Sequence, residues 1–292
     1  MTTPSRSTAA TAHPDLPGPG SVTWERMGRW ATLSVGLRAL VLQTAHPVVG
    51  AGVAEHSDFR DDFFPRFTRT LASTLRFVYG TPAEAAAEGR RLRALHARIR
   101  GTDHQGRPYR ALDPQAYAWV HATLFEAVVA FAELTSNPLS ADEQQDMYQE
   151  WKAVGTLLGV AETHLPDTPD AFWTYFHNTV EQQLQDNTVV RDLLGPALPG
   201  VPPPPLAPAL LWRVAWPPIA RYAVRVTVPT LPPAYLDRLG LASTGTDTRR
   251  TSRFFARTAR IDRLLPSRYR YLPAAAKARR QADTANAPMA RP

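Results

Sequence analysis

Four helix-start signals constrain this chain more than any other feature of its sequence. Thr81-Pro82-Ala83-Glu84 places a hydroxyl cap before a first-turn proline and a glutamate three residues after the cap. Asp113-Pro114, Ser140-Ala141-Asp142-Glu143 and Thr168-Pro169-Asp170 repeat the logic with other capping groups. Helices are therefore predicted from 82 to about 100, from 114 onward, from 141 to a stop at Gly159, and from 169 to about 185. Trp30, Leu33, Leu37, Leu40 and Val41 recur at three- and four-residue spacing, which predicts an earlier helix over 24–45. His46-Pro47 should end or kink it, because the residue before proline avoids the α region. Phe67, Leu71, Leu75 and Val78 mark another apolar stripe. Six prolines between Pro199 and Pro208 predict an extended connector over 195–208, and helical patterning resumes over 209–224, 232–239, 250–264 and 273–284. Val224–Val228 is the one strand candidate, and one strand makes no sheet. The expected fold class is all-α: one helical domain over 22–280, with disordered ends over 1–21 and 281–292.

Composition narrows the chemistry. The 292 residues include no cysteine, which excludes disulfides, thiolate metal ligands and thiol nucleophiles. That fits a reducing compartment, and the expected location is the cytoplasm. The net charge is +7, but it is uneven. Residues 249–292 hold twelve arginines and lysines against Asp262 and Asp283, a surplus of ten, while the rest of the chain is slightly acidic. Phe254, Phe255, Ile261 and Leu264 lie among those arginines. The segment is read as a helix docked on the body over 250–264, with peripheral contact at an anionic membrane as the second reading. Nucleic acid is not an expected partner, since no nucleic-acid motif accompanies the charge. No stretch reads as a membrane span. The longest charge-free candidate, Ala39–Ala54, contains Gln43, His46 and Pro47.

Phosphate-binding glycine loops, Gly-x-Ser-x-Gly elbows and His-Glu-x-x-His are absent. Histidine placement stands out instead: His46, His96, His121 and His177 lie within or at the ends of apolar helices. Arg93, His96 and Arg100 share a helical face, beside an apolar stripe of Leu92, Leu95 and Ile99. A neutral imidazole in that setting suits an axial haem ligand, and the arginines suit propionates. The plain alternative is a histidine among solvated arginines. Arg66 and Arg69 also share a face, either as an exposed basic surface or as paired guanidinium groups at a pocket mouth. His46 precedes the small-residue run Pro47-Val48-Val49-Gly50-Ala51-Gly52, and His121 falls on an apolar face. Each is either a satisfied core histidine or a pocket residue.

Several segments together resemble the MpaB/latex-clearing-protein oxygenase family. They are Leu42-Gln43-Thr44-Ala45-His46-Pro47, Gly50-Ala51-Gly52-Val53, His56-Ser57-Asp58-Phe59-Arg60, Arg66-x-x-Arg69-Thr70, Tyr79-Gly80-Thr81, Arg93-x-x-His96, Asp113-Pro114 with Trp119–Leu124, Leu157-Leu158-Gly159 and Leu231-Pro232-Pro233. The resemblance implies an all-α protein with a globin-like core around haem b. It implies a haem-dependent oxygenase that uses dioxygen on a small hydrophobic, unsaturated or isoprenoid-like substrate. It places the proximal iron ligand at His96, with Arg93, and the distal Arg-x-x-Lys-Thr motif at Arg66, Arg69 and Thr70. His46 and His121 become pocket residues or alternative ligands. Arginine at 69 is a departure from the family's lysine, because a guanidinium does not readily deprotonate to bind iron. The lysine-capped closed state is then not expected, and His46 is the first suspect for the sixth site. The family's glutamate base has no clear counterpart, although Glu55 lies nearby. Two alternatives remain at this point: a non-catalytic carrier of haem or a hydrophobic ligand, and a non-haem metal enzyme using His46, His96 and His121.

Overall fold

A computed structural model describes residues 16–56, 63–103, 105–195, 198–204 and 207–286. Fourteen α-helices dominate them: α1 (Val22–Arg26), α2 (Gly36–Ala45), α3 (Pro47–His56), α4 (Phe63–Tyr79), α5 (Pro82–His96), α6 (Pro114–Leu134), α7 (Ala141–Leu158), α8 (Pro169–Gln182), α9 (Thr188–Leu194), α10 (Ala209–Thr227), α11 (Pro233–Leu239), α12 (Gly245–Leu264), α13 (Ser267–Arg270) and α14 (Pro273–Asn286). The fold is all-α, as the patterning predicts.

All four start signals cap helices. Thr81 and Ser140 each form a reciprocal capping box with the glutamate three residues on. Asp113 accepts from the backbone N–H groups of Gln115 and Ala116, and Thr168 from that of Ala171. Gly159 ends α7 in the left-handed region at φ 84°, a conformation in which an L side chain is strained.

Helix α6 runs through the centre. Trp119 and Phe125 are fully buried, and α2, α7 and the 3-10 turn over Ala31–Val35 pack along it. Trp119 stacks on Phe176 of α8, and Phe125 meets Phe172 edge-on with centroids 4.8 Å apart. By length and composition α6 could cross a membrane, the only such helix among the described residues, which the sequence reading did not single out. Yet 67% of its most apolar window is buried in the core, which supplies a sufficient reason for its apolar character.

Several expectations are corrected. The helix predicted over 24–45 is three pieces, α1, the 3-10 turn and α2, with Gly28 at φ 71° breaking the first joint. Pro47 ends α2 as expected, with His46 extended at ψ 130°, but it also opens α3 at once. A two-stranded antiparallel hairpin, β1 (Arg100–Thr102) with β2 (Pro108–Arg110), was not anticipated. Its turn is held by Asp103, whose carboxylate accepts from the N–H groups of Gln105 and Arg107. Val224–Val228 is not a strand, since α10 runs through Thr227. The proline-rich stretch, expected as an extended connector, includes a 3-10 turn at Leu198–Gly200; Leu198 and Val201 are buried, and their carbonyls accept from the indoles of Trp216 and Trp212. Helix α14 continues to Asn286, beyond the boundary drawn at 280, with Arg279 paired to Glu25 and stacked on Tyr271. Residues 250–264 dock as expected, burying Thr251, Phe255 and Ala259.

Helices α4 and α5 are clasped by Glu88, whose side chain is 3% exposed. It accepts from Arg91, from Ser73 Oγ at 2.5 Å and from Arg76 at 3.0 Å. The Arg91 hydrogen bonds are the first cause that lowers its carboxyl to about 2, against desolvation. Because the folded value lies below the unfolded one, this stabilisation is complete above about pH 4.5 and disappears as pH falls towards 2. Glu88→Gln should cost about 2 kcal/mol at neutral pH and flatten the loss of stability between those pH values, as read by denaturant melts across pH.

Candidate functional site

His96 is the last residue of α5, and its setting is fixed from two sides. One turn back, Arg93 donates a hydrogen bond through Nη1 to the Leu157 carbonyl near the end of α7. Gly159 makes room for this arm: a Cβ there would lie 2.7 Å from Arg93 Cδ. Arg93 is thus a clamp between α5 and α7. On the other side, the imidazole meets the Tyr117 ring of α6 edge-on at 5.6 Å.

The His96 ring is partly buried. Its Nδ1 is enclosed without a hydrogen-bond partner, and so is the Tyr117 hydroxyl. Burial lowers the imidazole pKa, and the positive charges of Arg66 and Arg91 lower it further. The ring is therefore neutral at neutral pH, the state in which imidazole binds iron. Arg66 closes the first turn of α4 within electrostatic reach of His96, with Arg69 and Thr70 one turn further along. All three are exposed. The aromatic start of α4 is anchored elsewhere: Phe64 packs edge-on against Trp212 and Trp216 of α10. Of the resemblance segments, Ser57–Arg60 lies outside the described residues.

His46 occupies the α2–α3 corner and is 4% exposed. Desolvation lowers its pKa to about 4, opposed by the Asp113 charge and a hydrogen bond with the Gln183 side chain. Its Nδ1 has no partner. Gly50 permits the corner: a Cβ would sit 2.6 Å from both Asn187 Nδ2 and the Thr44 carbonyl, which that amide caps at 2.8 Å. Asp113 caps α6 and Tyr117 lies one turn along it, so His46 and His96 lie near the same end of α6.

His121 is placed differently. It stacks flat on Trp151 of α7, centroids 4.8 Å apart and planes within 3°. Its Nε2 donates to the Trp151 carbonyl at 2.7 Å, and the Trp151 indole returns a bond to the His121 carbonyl at 2.9 Å. This nitrogen is engaged in joining α6 to α7. Among the described residues no three His, Asp or Glu side chains converge to hold a metal ion, so the three-histidine arrangement does not form. A group held by one imidazole would require no such cluster.

Sequence reasoning missed Tyr117 as the neighbour of His96. Its spacing to Asp113 was visible, but nothing local tied it to α5. Glu55, noted in the sequence only as a nearby glutamate, accepts a short hydrogen bond from the Tyr109 hydroxyl of β2.

Two substitutions test this geometry. Arg66→Gln removes a cation facing His96 and should move the His96 pKa upward towards that of a free imidazole, read by histidine side-chain NMR titration. His121→Ala should cost about 2–4 kcal/mol of stability in a denaturant melt, through the lost stack and hydrogen bond.

Residues 24–261 match the family described as "ER-bound oxygenase mpaB/B'/Rubber oxygenase, catalytic domain". An uncharacterized protein of Mycobacterium tuberculosis and one of Mycobacterium bovis are each 29% identical over 171 residues, covering 57% of this chain and 67% of the relative. No solved structure matches significantly.

Proposed function

The chain belongs to the ER-bound oxygenase mpaB/B'/rubber oxygenase catalytic-domain family and is an oxidoreductase of the oxygenase type; on that premise we propose that it holds haem b through His96 and uses dioxygen on a small hydrophobic, unsaturated substrate. The observation that carries the reading is the pair of enclosed, unpartnered polar atoms, His96 Nδ1 and the Tyr117 hydroxyl, beside a neutral imidazole at the end of a clamped helix. An enclosed lone pair or N–H without a partner costs about 1–3 kcal/mol, so a bound group that meets it is favoured.

The residues present divide the work. Arg93 orients α5 through Leu157 and so fixes where the imidazole lies. Burial favours the neutral imidazole, and Arg66 adds to that effect while setting a positive potential suited to propionate carboxylates. Arg69 and Thr70 continue the same exposed α4 surface as polar groups bordering the approach. A guanidinium is a poor iron ligand, so Arg69 is not given an iron coordination position. His46 is buried and neutral, and serves as a pocket residue near the same end of α6. His121, whose Nε2 is engaged with α7, is given a packing role. When bound, haem iron supplies the oxygen chemistry, while the chain supplies access and orientation. The globin-like character of the core and the cytoplasmic location remain part of this reading, the latter because a chain without cysteine suits a reducing compartment.

Oxygen-electrode traces with haem-loaded protein and a series of apolar alkenes test the catalytic part. The expected result is alkene-dependent oxygen uptake with carbonyl products, reduced at least a hundredfold in His96→Ala. Haem binding without oxygen uptake for any alkene would make the protein a carrier instead.

A further inference from the structure

A cleft lies at the other end of α6, about 13 residues and so roughly 20 Å from Tyr117. Its volume is about 630 Å³. That is within the range of small-molecule sites, about 300–1,000 Å³. Trp173 and Phe176 of α8 form one wall, Ala130 of α6 another, and Leu231-Pro232 a third. The walls are rigid. Phe176 is 2% exposed, the Trp173 indole is tied to Gln144 at 2.7 Å, and Pro232 caps α11 with a fixed φ.

An ion pair sits among these apolar walls. Arg38 of α2 is 7% exposed and Glu126 of α6 is 2% exposed. Arg38 donates through Nε to Glu126 at 3.1 Å and again through Nη2. Its Nη1 is buried and has no partner. Burying such a pair is costly, and apolar residues of equal volume often serve stability as well or better. A guanidinium that keeps one nitrogen uncommitted at a cleft is a preorganised donor. Its charge is already balanced by Glu126, and Glu133 adds a negative charge at the exposed edge. The local field therefore disfavours an anion and suits a neutral acceptor.

We propose that this cleft binds a small neutral molecule with an apolar, aromatic-sized body and a carbonyl or hydroxyl oxygen that accepts a hydrogen bond from Arg38 Nη1. The site is independent of the His96 end of the molecule. It does not require haem to be present, so its failure and the failure of the oxygenase reading are separable.

Calorimetric titration of the full chain with three probes of matched shape tests the assignment. The probes are 2-acetylnaphthalene, 2-isopropylnaphthalene and 2-naphthoate, with acetophenone as a smaller ketone. The expected result is binding of a ketone at least tenfold tighter than the hydrocarbon, with 2-naphthoate weakest. Ala130→Phe, which fills the cleft and leaves the ion pair intact, should abolish ketone binding while His96→Ala leaves it unchanged. The double substitution Arg38→Met/Glu126→Leu removes the charges without stranding either one. It should keep hydrocarbon binding and reduce the ketone preference below twofold. Binding of neither ketone, equal binding of ketone and hydrocarbon, or ketone binding that survives Ala130→Phe would each overturn the proposal.

Discussion

Helix α6 offers almost no face to solvent, and the polar groups it carries must be met by its neighbours. Trp119 donates its indole N–H to the Leu42 carbonyl of α2 at 2.8 Å. His121 and Trp151 exchange hydrogen bonds with α7, and Glu126 takes Arg38 from α2. These contacts fix α2 and α7 on α6 in register as well as in position. The rest follows from them. The end of α2 brings His46 near the first turns of α6, and the end of α7 presents the Leu157 carbonyl that Arg93 grips. His96 is therefore placed by a chain of buried polar bonds that begins on another helix.

That placement has an electrostatic consequence. Burial lowers the pKa of the His96 imidazole, and the charges of Arg66 and Arg91 lower it further, so the neutral form of the ring is favoured. The Glu88 clasp takes up the charge of Arg91 and Arg76 on the same pair of helices, so these cations order the structure as well as the potential. The C-terminal excess of arginine is likewise engaged in part with the body. Arg279 meets Glu25, and α12 buries its apolar stripe against the body.

What could be read in the sequence was local. A cap, a first-turn proline and a glutamate three residues on are decided within four residues, so Thr81, Ser140, Asp113 and Thr168 all announce real helices. The long-range contacts were not visible. Arg38 and Glu126 are 88 residues apart, and Arg93 and Leu157 are 64 apart. Nothing near Tyr117 says that it will face His96. The hairpin over 100–110 escaped because three-residue strands carry no alternation to detect and its turn rests on one aspartate. Helix α10 contains Pro217 and Pro218, so its extension through Thr227 runs against the local rule and is sustained by packing against α12, where Thr251 donates to the Val226 carbonyl.

The central claim is that His96 is the axial ligand of a haem. The absorption spectrum of protein produced with added haem precursor tests it most directly, compared with His96→Gly before and after addition of free imidazole. The account predicts a Soret band in the unaltered protein, its weakening or shift in His96→Gly, and its restoration by imidazole. A Soret band of unchanged position and intensity in His96→Gly, or no Soret band in the unaltered protein, would contradict it.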